Sequence, residues 1–199
     1  AQNAYAVFDE SQSTLTFKYD VGGGIQLNKD KTIPAWAKYK RKIRKVVFDP
    51  SFANARPTSC YYWFNEFYEL ESIVGIENLN TDEVVNMAHM FSLCPKLAEL
   101  DVSKFNTAKV ENMTSMFANM QSVTKLDVSN FNTANVISMA RMFSACEAIT
   151  SLDVSGFNTS KVTNMFEMFC SSRHGKCDKH GKHVQLLFCS HHPRPLLIR

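Results

Sequence analysis

One block occurs three times at a fixed step of 26 residues, and this limits the fold more than any other feature. Leu100-Asp101-Val102-Ser103-Lys104-Phe105-Asn106-Thr107 returns as Leu126 to Thr133 and again as Leu152 to Thr159. A second block follows each copy: Val110-Glu111-Asn112-Met113-Thr114-Ser115-Met116-Phe117, then Val136 to Phe143, then Val162 to Phe169. An earlier copy stands at Val84 to Phe91, and Trp63-Phe64 is a weaker one upstream. A unit this short cannot bury its own apolar stripe, whereas stacked copies bury a continuous one.

The two blocks differ in period. In Leu-Asp-Val-Ser, apolar and polar residues alternate, which predicts a short strand with one face buried. In the second block Val84, Met87, Met90, Phe91 and Cys94 fall three or four apart, which predicts one face of a short helix. Thr81, Thr107, Thr133 and Thr159 each precede that Val by three residues, where a helix N-cap would stand. The expected fold class is therefore an α/β repeat solenoid, leucine-rich-repeat-like, with strand, turn and short helix in every 26 residues. Stacking predicts a column of Met87, Met113, Met139 and Met165, and another of Phe91, Phe117, Phe143 and Phe169. Core packing accounts for both better than a cofactor box does. Asn80, Asn106, Asn132 and Asn158 form a polar column expected to satisfy turn backbone groups.

The pattern x-L-D-V-S-x-F-N-T-x-x-V-x-N-M-x-x-M-F-x-x-C resembles the repeat of the BspA-like leucine-rich-repeat surface proteins of bacteria. Ala4 to Phe8, Thr14 to Phe17, and Val46-Val47-Phe48-Asp49 through Trp63-Phe64 resemble that family's entry module. The resemblance covers residues 1–169. It implies a secreted or surface-exposed protein of host-associated bacteria, with adhesion to host matrix proteins or other cells as its role. It assigns no ligand to any residue.

Three segments are expected: a β-rich capping module over 1–69, the repeats over 70–169, and a non-repeat tail over 170–199. Within the first, Tyr5 to Phe8 and Leu15 to Tyr19 flank Asp9-Glu10-Ser11-Gln12-Ser13 as a β-hairpin would. Gly22-Gly23-Gly24 lacks the Gly-Lys-Ser/Thr of a phosphate loop and reads as a turn. Ile33-Pro34-Ala35-Trp36 interrupts the chain before a strand at Lys45 to Phe48. Such a module covers the first open edge of a stack.

The net charge of +3 is unevenly placed. The tail carries +5 and the remaining residues −2, so the basicity belongs to the tail. The run from Lys38 to Lys45 is the one basic candidate in the folded part, and a solvated flank explains it better than nucleic acid. No apolar run reaches the roughly 20 residues of a membrane helix. No signal peptide is visible; the chain starts at Ala1, as a processed product or fragment would.

Six cysteines raise the question of disulfides. Cys94 and Cys146 occupy one repeat position two repeats apart, with Met120 between. At about 4.8 Å per layer they lie beyond disulfide reach and read as core thiols. Cys60 has no evident partner. The tail holds Cys170, Cys177 and Cys189 with His174, His180, His183, His191 and His192, but no Cys-x-x-Cys pair, so a zinc site is disfavoured. A frameshift explains the tail better. Read one base out of frame, codons compatible with 177–198 reproduce the repeat in register with Val136 to Phe157. A tail of that origin leaves the last repeat uncapped and the chain poorly soluble, which light scattering would reveal.

No Gly-x-Ser-x-Gly, His-Glu-x-x-His, phosphate loop or dinucleotide fingerprint occurs, and the chain is not expected to be an enzyme or to hold a cofactor or metal. His89 is expected to be solvated on an outward helix position. Asp101, Asp127 and Asp153 form a column that reads as a solvated face, since a ladder of like charges is no chelating cage. The expected role is a surface that binds a protein partner, on the cell surface or outside the cell. The alternative is a non-binding spacer within a larger surface protein.

Overall fold

The computed structural model describes residues 1–170 and the strand at Leu197–Ile198. Its regular core is a mixed five-stranded sheet. Strands β1 (Asn3–Asp9) and β2 (Thr14–Asp20) form the hairpin that their alternating apolar residues predict, from Asn3 opposite Asp20 to Asp9 opposite Thr14. Strand β3 (Ile25–Gln26) pairs antiparallel with β1. Gly24 makes that return possible, because a Cβ there would lie 2.5 Å from the Ala6 carbonyl oxygen. Strand β4 (Lys45–Phe48) adds parallel to β2, and β5 (Ser72–Val74) parallel to β4.

Phe17 is the hub of the core beneath this sheet. Its ring lies 4.8 to 5.9 Å from the rings of Trp36, Phe48, Phe52, Trp63 and Phe64, all buried. Residues from the hairpin, from the 3-10 turns at Ala35–Tyr39 and Pro50–Asn54, and from the first repeat thus share one apolar cluster. Truncating such a ring costs roughly 3–5 kcal/mol.

The repeats correct the expected fold class. The chain is not an α/β repeat solenoid: the sheet is mixed, and no α-helix occurs among the described residues. Each Asn-Met-x-x-Met-Phe block is a pair of tight turns instead. Met90 N–H donates to the Met87 carbonyl, and the third turn residue, His89, is left-handed at φ 58°. Leu93 (φ 61°) is left-handed again four residues on, and the later coils repeat the pair at Ser115 and Asn119 and at Arg141 and Ala145. Consecutive four-residue turns bring residues three and four apart to one side just as a helix does, so the apolar spacing does not distinguish them.

Where the amide groups go decides between the two. Met87, His89, Phe91 and Leu93 N–H donate to the carbonyls of Asn112, Thr114, Met116 and Ala118 in the next coil, each at 2.9 Å. Alternate peptide planes therefore lie along the stacking direction, and the same ladder links the coils bridged through Ser59, Asn86, Asn112, Ser138 and Asn164. A block this short would nucleate a helix poorly, whereas every added coil gains a full set of forward bonds.

The expected Leu-Asp-Val-Ser strands are corrected too. Only Ser151–Leu152 (β6) forms a strand, paired parallel with Leu197–Ile198 (β7). Asp101 Oδ1 accepts the Ser103 N–H at 2.9 Å, and Asp127 and Asp153 accept from Ser129 and Ser155 in the same way. Such local bonds turn the backbone away from an extended ladder.

The threonines are not helix N-caps. Thr107 Oγ1 accepts the Asn132 N–H at 2.8 Å and donates to the Asn132 carbonyl at 3.0 Å, so it stitches one coil to the next. Thr81 and Thr133 do the same with Asn106 and Asn158. The Phe column stands as expected: rings of Phe64, Phe91, Phe117, Phe143 and Phe169 succeed one another at 5.6 to 5.9 Å. Met87, Met113 and Met139 are fully buried beside it.

Candidate binding face

The first left-handed turn position of each coil falls at the same place along the coil ladder. Along it run Tyr62, His89, Ser115, Arg141 and Glu167, each with positive φ. Tyr61, Ala88, Thr114, Ala140 and Phe166 precede them in the chain. Because the turn backbones are bonded into the ladder, these side chains sit at fixed intervals on a rigid support. Their identities change from coil to coil while the Met and Phe columns beneath hardly change.

The face is aromatic at one end. Tyr61 and Tyr62 lie 4.4 Å apart, and the His89 ring lies 4.5 Å from Tyr62 at 35°. His89 is thus not the solvated helix residue expected. It is half-buried against Tyr62, and burial holds its imidazole below the ordinary value. The middle is small and shallow: Ala88, Ser115 and Ala140 are buried, and Thr114 Oγ1 meets Ser138 Oγ at 2.7 Å. At the far end Arg141 sits 5.4 Å over the Phe166 ring and pairs with Glu167 at 2.7 Å. Ile137 and Phe166, each 46% exposed, add apolar area.

The other candidates are not drawn together here. Asp101 and Asp127 are exposed, and hydrogen bonds from Ser103 and Ser129 hold their carboxyls below the usual range. Asn80, Asn106, Asn132 and Asn158 accept the N–H two residues on, at 2.9 to 3.1 Å, as a turn-satisfying column should. Cys60, Cys94 and Cys146 are free thiols; Cys94 Sγ donates to the Phe64 carbonyl at 3.1 Å and Cys146 Sγ to that of Phe117 at 2.9 Å. Burial pushes the Cys146 thiol up to about 12, so it stays protonated.

In the basic run, Lys40, Lys42 and Arg44 pair with Glu66, Glu10 and Glu71, while Lys38 and Arg41 lie over Tyr39 and Tyr68. Among the described residues, no cluster of three or more His, Cys, Asp or Glu could hold a metal. Nor is any helix there long and apolar enough to cross a membrane. Zinc binding by the tail, and the tail's origin in a frameshift, concern residues outside those described, apart from Cys170 and the strand at Leu197–Ile198.

Sequence reasoning missed the turn face because it placed these residues on a helix. The available signal was internal: His89, Ser115, Arg141 and Glu167 differ in every copy, between Met and Phe columns that do not.

The chain matches no curated protein and no solved structure. A family model described as "Mycoplasma protein of unknown function, DUF285" matches residues 58–180, which takes in all the coils from Ser59 onward, and the chain belongs to that family.

Proposed function

We propose that this is a BspA-like surface repeat protein, secreted or held at the cell surface, that binds host matrix proteins or other cells through its turn face. One observation carries the reading. The core columns repeat almost unchanged, while Tyr62, His89, Ser115, Arg141 and Glu167 differ at a position whose backbone is the same in every coil. Variable side chains on a rigid, repeated backbone are what a display scaffold needs, and Tyr and Arg are among the residues that most often anchor protein interfaces. The reading includes no catalysis: the functional groups on this face are spread along the ladder and do not converge on one point.

The test is solid-phase binding of the full chain to a panel of purified extracellular matrix proteins and to intact host cells. Substituting Tyr61, Tyr62, His89 and Arg141 together by Ser is expected to weaken saturable binding at least about tenfold, with circular dichroism unchanged. Binding that survives the substitutions would move the site off this face. Absence of saturable binding throughout would favour a non-binding spacer.

A further inference from the structure

The coil ladder has a direction, and its two ends are treated differently. At the first coil, the Tyr62 and Phe64 N–H groups donate forward to Ala88 and Met90. The carbonyls of Tyr61 and Trp63, in the same planar peptides, therefore point back, away from the stack. Both are capped: Asn28 Nδ2 donates to the Tyr61 carbonyl at 3.0 Å and Trp36 Nε1 to that of Trp63 at 2.7 Å.

Among the described residues, the coil containing Asn164 has no such closure. The carbonyls of Asn164, Phe166 and Met168 accept from Met139, Arg141 and Phe143, which leaves the N–H groups of Met165, Glu167 and Phe169 pointing onward. They meet no acceptor among the described residues. Thr159, the fourth of the stitching threonines, likewise meets no Asn among them. Val162, Met165 and Phe169 are only partly buried, where Val136, Met139 and Phe143 are buried. Strand β7 pairs with β6 at Ser151–Leu152, so the part left open among the described residues is the turn half of the coil.

From this we infer that the open turn half is a docking site for one further coil of the same repeat, supplied in trans. The surface continues an interface already formed four times in the stack. It calls for a segment with carbonyls at alternate residues and a Met and Phe in register with Met165 and Phe169. A second folded copy does not fit: the Tyr61 and Trp63 carbonyls of its first coil already accept from Asn28 and Trp36, and its last coil presents N–H groups of the same polarity. The occupant is an unfolded or partly folded repeat segment carrying Asn/Ser-Met-x-x-Met-Phe.

A blocked peptide of residues 133–145 added to the full chain tests this. Titration calorimetry is expected to show saturable one-to-one binding, lost at least about tenfold when the peptide carries Met139→Asp and Phe143→Asp. Phe169→Asp in the protein is expected to weaken binding similarly, with exchange at Met87 and Phe91 amides reporting an intact stack. In the wild-type protein, hydrogen exchange at the Met165, Glu167 and Phe169 amides is expected to slow when peptide is present. No saturable binding, equal binding of the Asp-substituted peptide, or no peptide-dependent protection of those three amides overturns the proposal.

Discussion

At the residue scale, Thr107 shows how little of a coil's cohesion needs regular secondary structure. Its hydroxyl accepts one backbone N–H and donates to one carbonyl of Asn132, while the side chain is 1% exposed. Thr107→Val keeps the shape and orphans both groups. It is expected to cost roughly 2–3 kcal/mol, read as a lower urea midpoint at unchanged slope, with Thr107→Ser recovering most of the loss. His89 makes a pH-dependent contribution. Its imidazole is held below 6.5 in the fold by burial, so below that pH the unfolded chain takes up the proton first. The contribution is complete above 6.5 and is lost as pH falls through the depressed folded value. Asp101 and Asp127 sit below 3.8 and stay ionised through most of that window. Urea midpoints at about pH 7.5 and about pH 5 are expected to differ less in His89→Asn, since Asn tolerates the left-handed backbone.

At the scale of the element, the unit is a left-handed tight turn built without glycine. Asn119 (φ 60°) and Leu93 (φ 61°) occupy a conformation that costs an ordinary L-residue roughly 1–2 kcal/mol. Bonds from Leu93 to Ala118 and from Asn119 to Ser144 hold them there. Asn119→Gly is expected to change stability by less than about 0.5 kcal/mol, because relief of strain offsets the flexibility gained by the unfolded chain. Asn119→Val places a β-branched residue at positive φ and is expected to cost about 2 kcal/mol, measured by the thermal midpoint. A helix at this position would give the opposite order, with Gly the costlier change.

At the scale of the whole molecule, the sheet and the coils share one core and one cap. Asn28 joins them: it accepts the Trp63 indole N–H at 2.7 Å and donates to the carbonyls of Tyr61 and Thr32. Asn28→Ala is expected to destabilise by roughly 3 kcal/mol. Because Phe17 packs on Trp63 and Phe64, unfolding followed by tryptophan fluorescence and by circular dichroism should remain coincident. Separated transitions would mean that the sheet and the coil stack fold independently.

The sequence by itself determined the period, the buried columns and the hairpin. These depend on which side of the chain is apolar, and the residue types at Met87, Phe91, Leu15 and Phe17 state that directly. It also foretold the turn-satisfying role of Asn106 and its counterparts, since an Asx bond reaches only two residues along the chain. What it left open was the partner of each backbone amide. Phe91 N–H could have donated within its own segment, as a helix requires, or to Met116 in the next coil, and both arrangements place Met87, Met90 and Phe91 on one side. Only the tertiary structure decided that. A local hydrogen bond is written in local sequence, whereas one 25 residues away exists only when a neighbouring coil is there to receive it. The turn face follows from the same choice: left-handed turns replaced helices, and Tyr62, His89 and Arg141 came onto one edge.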